Sequence, residues 1–565
     1  MASAVQSLIY PTSYRERRNI RELEQAYLAG NKKPLSDLLR AWKGIQELDT
    51  VKLNSFFVIA GYHGEPFRGA GWGNPQWWGG YCNHGNILFP TWHRAYLWRL
   101  ENALRSIEGC EHIALPYWDE TDQDTAENGL PAVFTSQTFE LDTGETIKNP
   151  LYSYKFQEPV WDNLSFPAII SDDKNLNIEN ANPNYYKYPG YETVRYPFSG
   201  LTSESPKEQA EIDAYNASIK KLSPAEITKA LNENIQYWLA DPQHGTRKKY
   251  EQCLKAPNYT VFSNTTSAME WNERNLNVSK WGESPVPRKT SPDAIVPLES
   301  PHNDMHLAVG GFNYPGLDDA NTSNAEFALA NGDMGENETA SFDPIFFFHH
   351  CFVDKVFWDW QKAQNATKHF DIIAGYPGTN SVDAQGPTPG VAGGTWLSMT
   401  SALDPFKKGD KPDNPALTSK DVIDIESQLG YTYIDTAPPL RAPPTAPPQD
   451  VKHFAMVHGI DRGSIGGSFL VATFKEDKDG KRSLLGYESI LSRWHTSGCA
   501  NCQNHQQVKT FVPLHGISDA DLEEGSGVKI VPVVMPRLNS LGNMLVGGAK
   551  TPTANLGIIK TAAAS

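Results

Sequence analysis

A helix-rich region followed by a smaller strand-rich one is the fold class predicted for this chain of 565 residues. Three features predict it. Apolar residues recur at three- and four-residue spacing in segments such as WHRAYLWRLENALRSIEG (92–109) and PIFFFHHCFVDKVFWDWQKA (344–363), the period of a buried or half-buried helix. Downstream, HFAMVHGI, GSFLVATF and VKIVPVVM are short β-branched and aromatic runs set off by glycine, charge and turn residues, the pattern of strands in a small β-sandwich. Between the two regions, IDTAPPLRAPPTAPPQDV carries paired prolines that favour extended backbone and exclude a packed helix. The expected division is a mainly α domain over 1–435, a proline-rich linker over 436–450 and a β-rich domain over 451–565.

Composition sets outer limits. Hydrophobic residues make up 39% and aromatic residues 11% of the chain, enough for a large core and against global disorder. A formal charge of -16 leaves no basic surplus to neutralise phosphates, which disfavours nucleic acid and anionic membrane as principal partners. The start, MASAVQSLIYPTSYRERR, lacks an apolar run of signal-peptide length, and no unbroken apolar stretch of about 18 residues follows, so the expected location is cytoplasmic. Six scattered cysteines suit a reducing compartment; Cys110, Cys253 and Cys351 read as core residues. Sequons at Asn216, Asn264 and Asn337 carry no meaning without secretion. The stretch from about Asn128 to Gly200 reads as long ordered loops, and the tail after Gly547 as loose.

The histidines carry the chemistry. His63 stands in YHGEPF; His84 and His93 stand in YCNHGNILFPTWHRAY, with His93 opening a helical segment and His84 in the loop before it. In ESPHNDMH, His302 and His306 are four apart and share one helix face, a spacing that suits a metal chelate. In DPIFFFHHCFVD, His349 and His350 are adjacent; on a helix they point about 100° apart, so one of them faces the metal. Neutral imidazoles suit an ion that cycles between Cu(I) and Cu(II), and three per ion leave room for oxygen. Zinc proteases place Glu directly after the first histidine of an H-x-x-x-H pair, where this chain has Asn303.

On these motifs the chain resembles the fungal tyrosinases, a family of type-3 copper oxidases. The phrases FPTWHRAYL, PHNDMH and DPIFFFHHCFVD carry the resemblance, which extends over most of residues 50–435 and includes PYWDE (116–120) and GYTY (430–433). It implies a four-helix bundle enclosing two copper ions, with His63, His84 and His93 on the first and His302, His306 and His350 on the second; His349 is the alternative to His350. It also implies a thioether between Cys82 and the ring of His84, and Phe346 packed beside the metal site. Tyr431 and Tyr433 resemble the tyrosine motif that closes the family's catalytic domain.

The implied reaction uses O2 to hydroxylate monophenols ortho to their oxygen and to oxidise o-diphenols to o-quinones, as in pigment formation. A phenol has a pKa near 10, so a base must take its proton at neutral pH. Glu299 and Asn303, four apart around His302, are suited to orient a water that takes that proton, although a carboxylate at a helix entry also has a purely electrostatic reason to be there. Leu307 leaves the second site's entrance apolar, which suits a neutral aromatic ring. Competing readings are a catechol or aminophenol oxidase without monophenol activity, a hemocyanin-like oxygen carrier, and a dinuclear zinc hydrolase, whose sites usually carry bridging carboxylates.

In the strand-rich region, Cys499 and Cys502 form a C-x-x-C that could chelate Cu(I), bind half a zinc site with His495 or His505, or form a redox pair. The resemblance implies a latent proenzyme whose C-terminal domain covers the site, with Ile490, Leu491 and Phe469 as candidate plugs, and predicts that cleavage near the linker raises activity. Expected partners are small phenols and an activating protease, with no nucleic acid and no membrane; a homo-oligomer is left open.

Overall fold

A computed structural model describes residues 14–64, 80–163, 181–202, 206–277, 294–316, 329–383, 391–409, 413–434, 453–492, 507–536 and 554–560, with a few single positions between them. The linker at 436–450 and the C-x-x-C of Cys499 and Cys502 lie outside the described residues.

Helices dominate the first region. α1 (Lys33–Glu47) buries Leu35, Leu38, Leu39, Trp42 and Ile45 along one stripe. α2 (Phe56–Ala60) is buried throughout and begins where the Ser55 hydroxyl accepts the Val58 N–H at 3.2 Å. α3 (Phe89–Arg105) has proline in its first turn, where a missing N–H costs nothing. α4 (Pro224–Ala240) opens with a capping box of Ser223 and Glu226. α5 (Thr246–Cys253), α6 (Glu299–Gly310) and α7 (Ile345–Ala363) are the other helices that frame the site.

α3 packs on α1 and α7, and α6 on α4, α5 and α7. Every residue of α6 is buried, although Glu299, His302, Asn303, Asp304 and His306 are polar. Buried polar groups need partners, so a helix of this composition at the centre of the molecule marks a site rather than a core. It stops at Gly311, whose φ of 127° only glycine adopts without strain and whose Cβ would meet the Ala330 carbonyl at 2.9 Å.

The region's two ends meet in a short parallel pair, β1 (Arg15–Arg17) on β2 (Tyr431–Tyr433), with Arg17 opposite Tyr433. Residues 128–200 are less irregular than expected: Thr138–Glu140 pairs with Thr146–Lys148 and Val160–Asn163 with Ala181–Lys187, both antiparallel. Sequons at Asn264 and Asn337 are buried, and the Asn216 amide is engaged with the backbone of Ser199.

Among its described residues, the regular elements of the C-terminal region are strands apart from short 3-10 turns: β3 (His453–Asp461), β4 (Phe469–Glu476), β5 (Arg482–Ile490), β6 (Gln507–Pro513), β7 (Lys529–Pro536) and β8 (Asn555–Lys560). They form two three-stranded antiparallel sheets, in orders β5-β4-β7 and β6-β3-β8. β8 corrects the expectation of a loose tail: Leu556 and Ile559 pair with Val457 and Phe454 of β3, and that pairing holds a segment with little local signal.

Alternation along β4 sends side chains two ways. Phe469 and Val471 join Val457, Ile460, Val508 and Ile490 in a core of the strand-rich region's own. Leu470, Ala472 and Phe474, with Tyr487 and Leu491, belong instead to the apolar cluster of the helical region. Of the three candidate plugs, Phe469 and Ile490 therefore face away from the helices, and Leu491 is the one that joins them.

Candidate metal centre

Two loops and one helix assemble the first histidine cluster. His63 follows α2 by three residues and His84 lies in the loop before α3. A Cβ on Gly64 would overlap the Glu338 carbonyl, and one on Gly80 the carbonyls of Gly64 and His63, so glycine lets these loops close on each other. His93 sits in the second turn of α3 rather than opening it, because the helix starts at Phe89. The ring centroids stand 5.1 Å (His63–His84), 5.2 Å (His84–His93) and 5.5 Å (His63–His93) apart. All three side chains are buried. The thiol of Cys82, also buried, lies within 4.8 Å of ring nitrogens of His63 and His84.

The second cluster is tighter. Residues 299, 302, 303 and 306 form one stripe along α6 at three- and four-residue spacing. The Nε2 atoms of His302, His306 and His350 form a triangle with sides of 3.1, 3.2 and 3.2 Å. The centre of that triangle lies about 1.8 Å from each nitrogen, the shortest distance an equidistant ion could have and slightly inside the ~2.0–2.1 Å of an imidazole–metal bond. The two clusters abut, with His93 stacked on His350 at 4.5 Å.

Tautomers decide what such a triangle can hold. His302 donates Nδ1–H to the Asn303 side-chain carbonyl at 2.9 Å, and His306 donates Nδ1–H to the Met334 carbonyl at 2.7 Å. In the first cluster, His93 donates Nδ1–H to the Phe89 carbonyl at 2.8 Å. Burial pushes these imidazoles down, His93 to about 3 and His302, His306 and His350 well below the ordinary histidine value, so they are neutral and carry their protons on Nδ1 where that atom is bonded. Two Nε2 lone pairs then face each other 3.1 Å apart without a proton between them. That arrangement is repulsive unless a cation lies among the nitrogens, and it is the usual one for ligands whose other ring nitrogen is anchored.

Around the clusters, Phe346 lies 4.0 Å from the His350 ring and 4.7 Å from that of His63. Leu307 is fully buried in the apolar cluster. Glu299 accepts the Gly85 N–H at 2.8 Å on one oxygen and the Thr265 N–H and hydroxyl at 2.8 and 2.9 Å on the other. Burial pushes this carboxyl up against those hydrogen bonds. Asn303 donates its amide N–H to the Ser489 carbonyl of β5 at 3.1 Å.

Sequence reasoning missed two groups. Asp304, between the paired histidines, accepts from Lys249 at 3.0 Å, the Ser489 hydroxyl at 2.7 Å, the Tyr487 hydroxyl at 3.1 Å and the Thr246 hydroxyl at 3.3 Å, which ties α6 to both α5 and β5. Glu120, at the end of PYWDE, meets His349 Nδ1 at 2.5 Å. Asp304 could have been singled out as a charge inside a helix with no polar face; Glu120 carried no local signal.

Comparison with known proteins fits this geometry. The common central domain of tyrosinase matches residues 53–363. Across 570 residues the chain is 43% identical to a tyrosinase of Aspergillus oryzae, covering 96% of each. It is 46% identical over 536 residues to a tyrosinase of Hahella sp., covering 90% of this chain and 89% of that one. Among solved structures, a tyrosinase from Burkholderia thailandensis matches with a TM-score of 0.77 and 41% identity, over 96% of this chain and 100% of that one.

Proposed function

The chain belongs to the tyrosinase family, and from that premise we propose that His63, His84 and His93 hold one copper ion and His302, His306 and His350 the other. The activity is that of a tyrosinase: hydroxylation of monophenols and oxidation of o-diphenols to o-quinones with O2. The observation that carries the site assignment is the triangle of Nε2 atoms, two of them fixed as lone-pair donors by hydrogen bonds at Nδ1. Copper, when bound, supplies the redox chemistry by which O2 oxidises the phenol.

The protein's own residues manage position and protons. Burial keeps the imidazoles neutral, the form that binds metal. Phe346 gives an aromatic wall beside both clusters. Glu299 and Asn303 share one stripe of α6, and we assign them the water that takes the phenolic proton. Asn303 also acts on the metal side, because its carbonyl sets the tautomer of His302. In the closed chain one of its two N–H groups is taken by the Ser489 carbonyl, so β5 occupies part of the water site until it withdraws. The proximity of Cys82 to His84 supports the thioether reading.

The finer architecture is also a proposal: a four-helix bundle of α1, α3, α6 and α7 around the copper pair, and a β-sandwich of the two C-terminal sheets, as domains 1–435 and 451–565 joined by the linker 436–450. The second domain acts as a cap, with Leu491 and Tyr487 entering the helical core; a protease that cuts the linker begins activation, which is complete only when the cap leaves. The substrates are small neutral phenols.

Metal analysis and turnover test these readings together. The expected result is two copper ions per chain, monophenol hydroxylation, and a rise in phenol turnover when residues 451–565 are removed. Two zinc ions without phenol turnover would sink the site, and an unchanged rate after removal would sink the latency.

A further inference from the structure

The adjacent histidines of α7 both reach the second cluster: one ring nitrogen of each lies within 4.8 Å of those of His302 and His306. Three ligands leave room for oxygen and a fourth would fill it. Something must therefore keep His349 out.

His349 is fully buried and wedged among the other rings, stacked on His302 at 5.2 Å and edge-on to His306 and His350 at 4.9 and 5.0 Å. Its Nδ1 meets Glu120 Oε1 at 2.5 Å, and the other oxygen of Glu120 accepts the Tyr250 hydroxyl at 2.7 Å. Glu120 is itself fully buried, on a loop tied to α7 where Trp118 donates its N–H to the Phe348 carbonyl at 3.1 Å. Tyr250 packs edge-on against Phe352 of the same helix at 5.1 Å. Loop, tyrosine and helix thus fix the carboxyl at the Nδ1 edge of the His349 ring.

We propose that Glu120, held by Tyr250, is a positioning residue for the second copper: it pins the His349 ring so that His350 alone completes the triangle with His302 and His306. The inference rests on the ligand set proposed above. The bond at Nδ1 fixes the rotation of the His349 ring, and its Nε2 meets no hydrogen-bond partner among the described residues, whereas the Nε2 atoms of His302, His306 and His350 close on one another at 3.1 and 3.2 Å.

The Cu(I) X-ray absorption edge separates three- from four-coordinate copper and reads coordination independently of activity. In copper-loaded, reduced Glu120→Ala, one of the two ions is expected to become four-coordinate as His349 swings in, with diphenol turnover down about tenfold. Glu120→Gln, whose amide can still hydrogen-bond Nδ1, should keep the three-coordinate edge. The double variant Glu120→Ala/His349→Phe should return to it. An unchanged edge in Glu120→Ala, or a shift that survives removal of His349, overturns the inference. Should Glu120→Ala not fold, His349→Phe alone decides: two three-coordinate coppers support the inference and loss of one copper overturns it. His350→Phe separates the two levels, because retention of both coppers there would refute the ligand set itself.

Discussion

At the scale of single residues, α6 shows how one turn of helix divides its labour. His302 and His306 turn their Nε2 atoms inward, Asn303 fixes the first of them, and Asp304, about 100° further round, faces α5 and β5. Glu299 shares the histidines' stripe and is the one carboxylate on it. Its proposed work is deprotonation of a phenol, which a catechol, already more acidic, needs less. Glu299→Gln in protein lacking the cap is therefore expected to lower monophenol hydroxylation about 10²-fold while catechol oxidation falls much less. Rates on a monophenol and a catechol, measured side by side, check this; equal losses on both would leave Glu299 with a structural role through Gly85 and Thr265 only.

Between elements, a buried charge network locks α3 to α7 and both to the β1–β2 pair. Arg94 donates to Asp354 at 2.6 Å, Tyr431 and Tyr433 donate to the other Asp354 oxygen at 2.6 Å each, and Arg17 lies 3.5 Å over the Tyr431 ring. Arg17 and Arg15 also donate to Glu101 at 2.8 and 2.6 Å. Burial alone would raise the Glu101 carboxyl, but Arg17, Arg15 and the Leu115 N–H together hold it below the ordinary value. A carboxyl depressed in the folded state contributes stability that is present above its unfolded pKa of ~4.3 and is lost as pH falls through the folded value. Thermal melting of the wild type should accordingly drop below about pH 4 more steeply than that of Glu101→Gln, which is less stable at neutral pH because it strands Arg17; parallel pH profiles would refute the assignment.

The same elements show what can be seen in a sequence. α3 and α7 announce themselves because their apolar residues recur along one face, and His302 with His306 because a chelate at four-residue spacing is local. β8 is invisible in NLGIIK, since its order comes from pairing with β3 about a hundred residues earlier. The Asp304 hub draws on Lys249, Tyr487 and Ser489, all distant in the chain. Leu491 could not be told from Phe469 or Ile490 because which face a strand residue takes depends on register, and a one-residue change of parity reverses it. Histidine chemistry was legible; the carboxylates that set its geometry were not.

At the scale of the whole molecule, the strand-rich region, the proposed cap, is held to the helices by contacts as well as by chain continuity. Leu470, Phe474, Tyr487 and Leu491 share an apolar cluster with the helices, Ser489 and Tyr487 bond Asp304, and Lys509 reaches Glu273 at 2.6 Å on a second patch where Phe454 and Ile559 pack on Leu276. A linker raises the local concentration of the cap but adds none of these contacts, so cutting it removes only the effective-concentration term. Cleavage within 436–450 is therefore expected to give two fragments that co-elute and stay largely latent at micromolar concentration, with activity rising on dilution or in mild denaturant as the cap leaves. Weakening the patch should replace the denaturant: Leu491→Ala removes apolar contact worth about 2–5 kcal/mol, enough to loosen the cap by more than tenfold after the cut. Size-exclusion chromatography with phenol turnover on each fraction checks both steps. Immediate separation and full activity on cutting would mean that the tether, and not the buried face around Asp304 and Leu491, keeps the copper site closed.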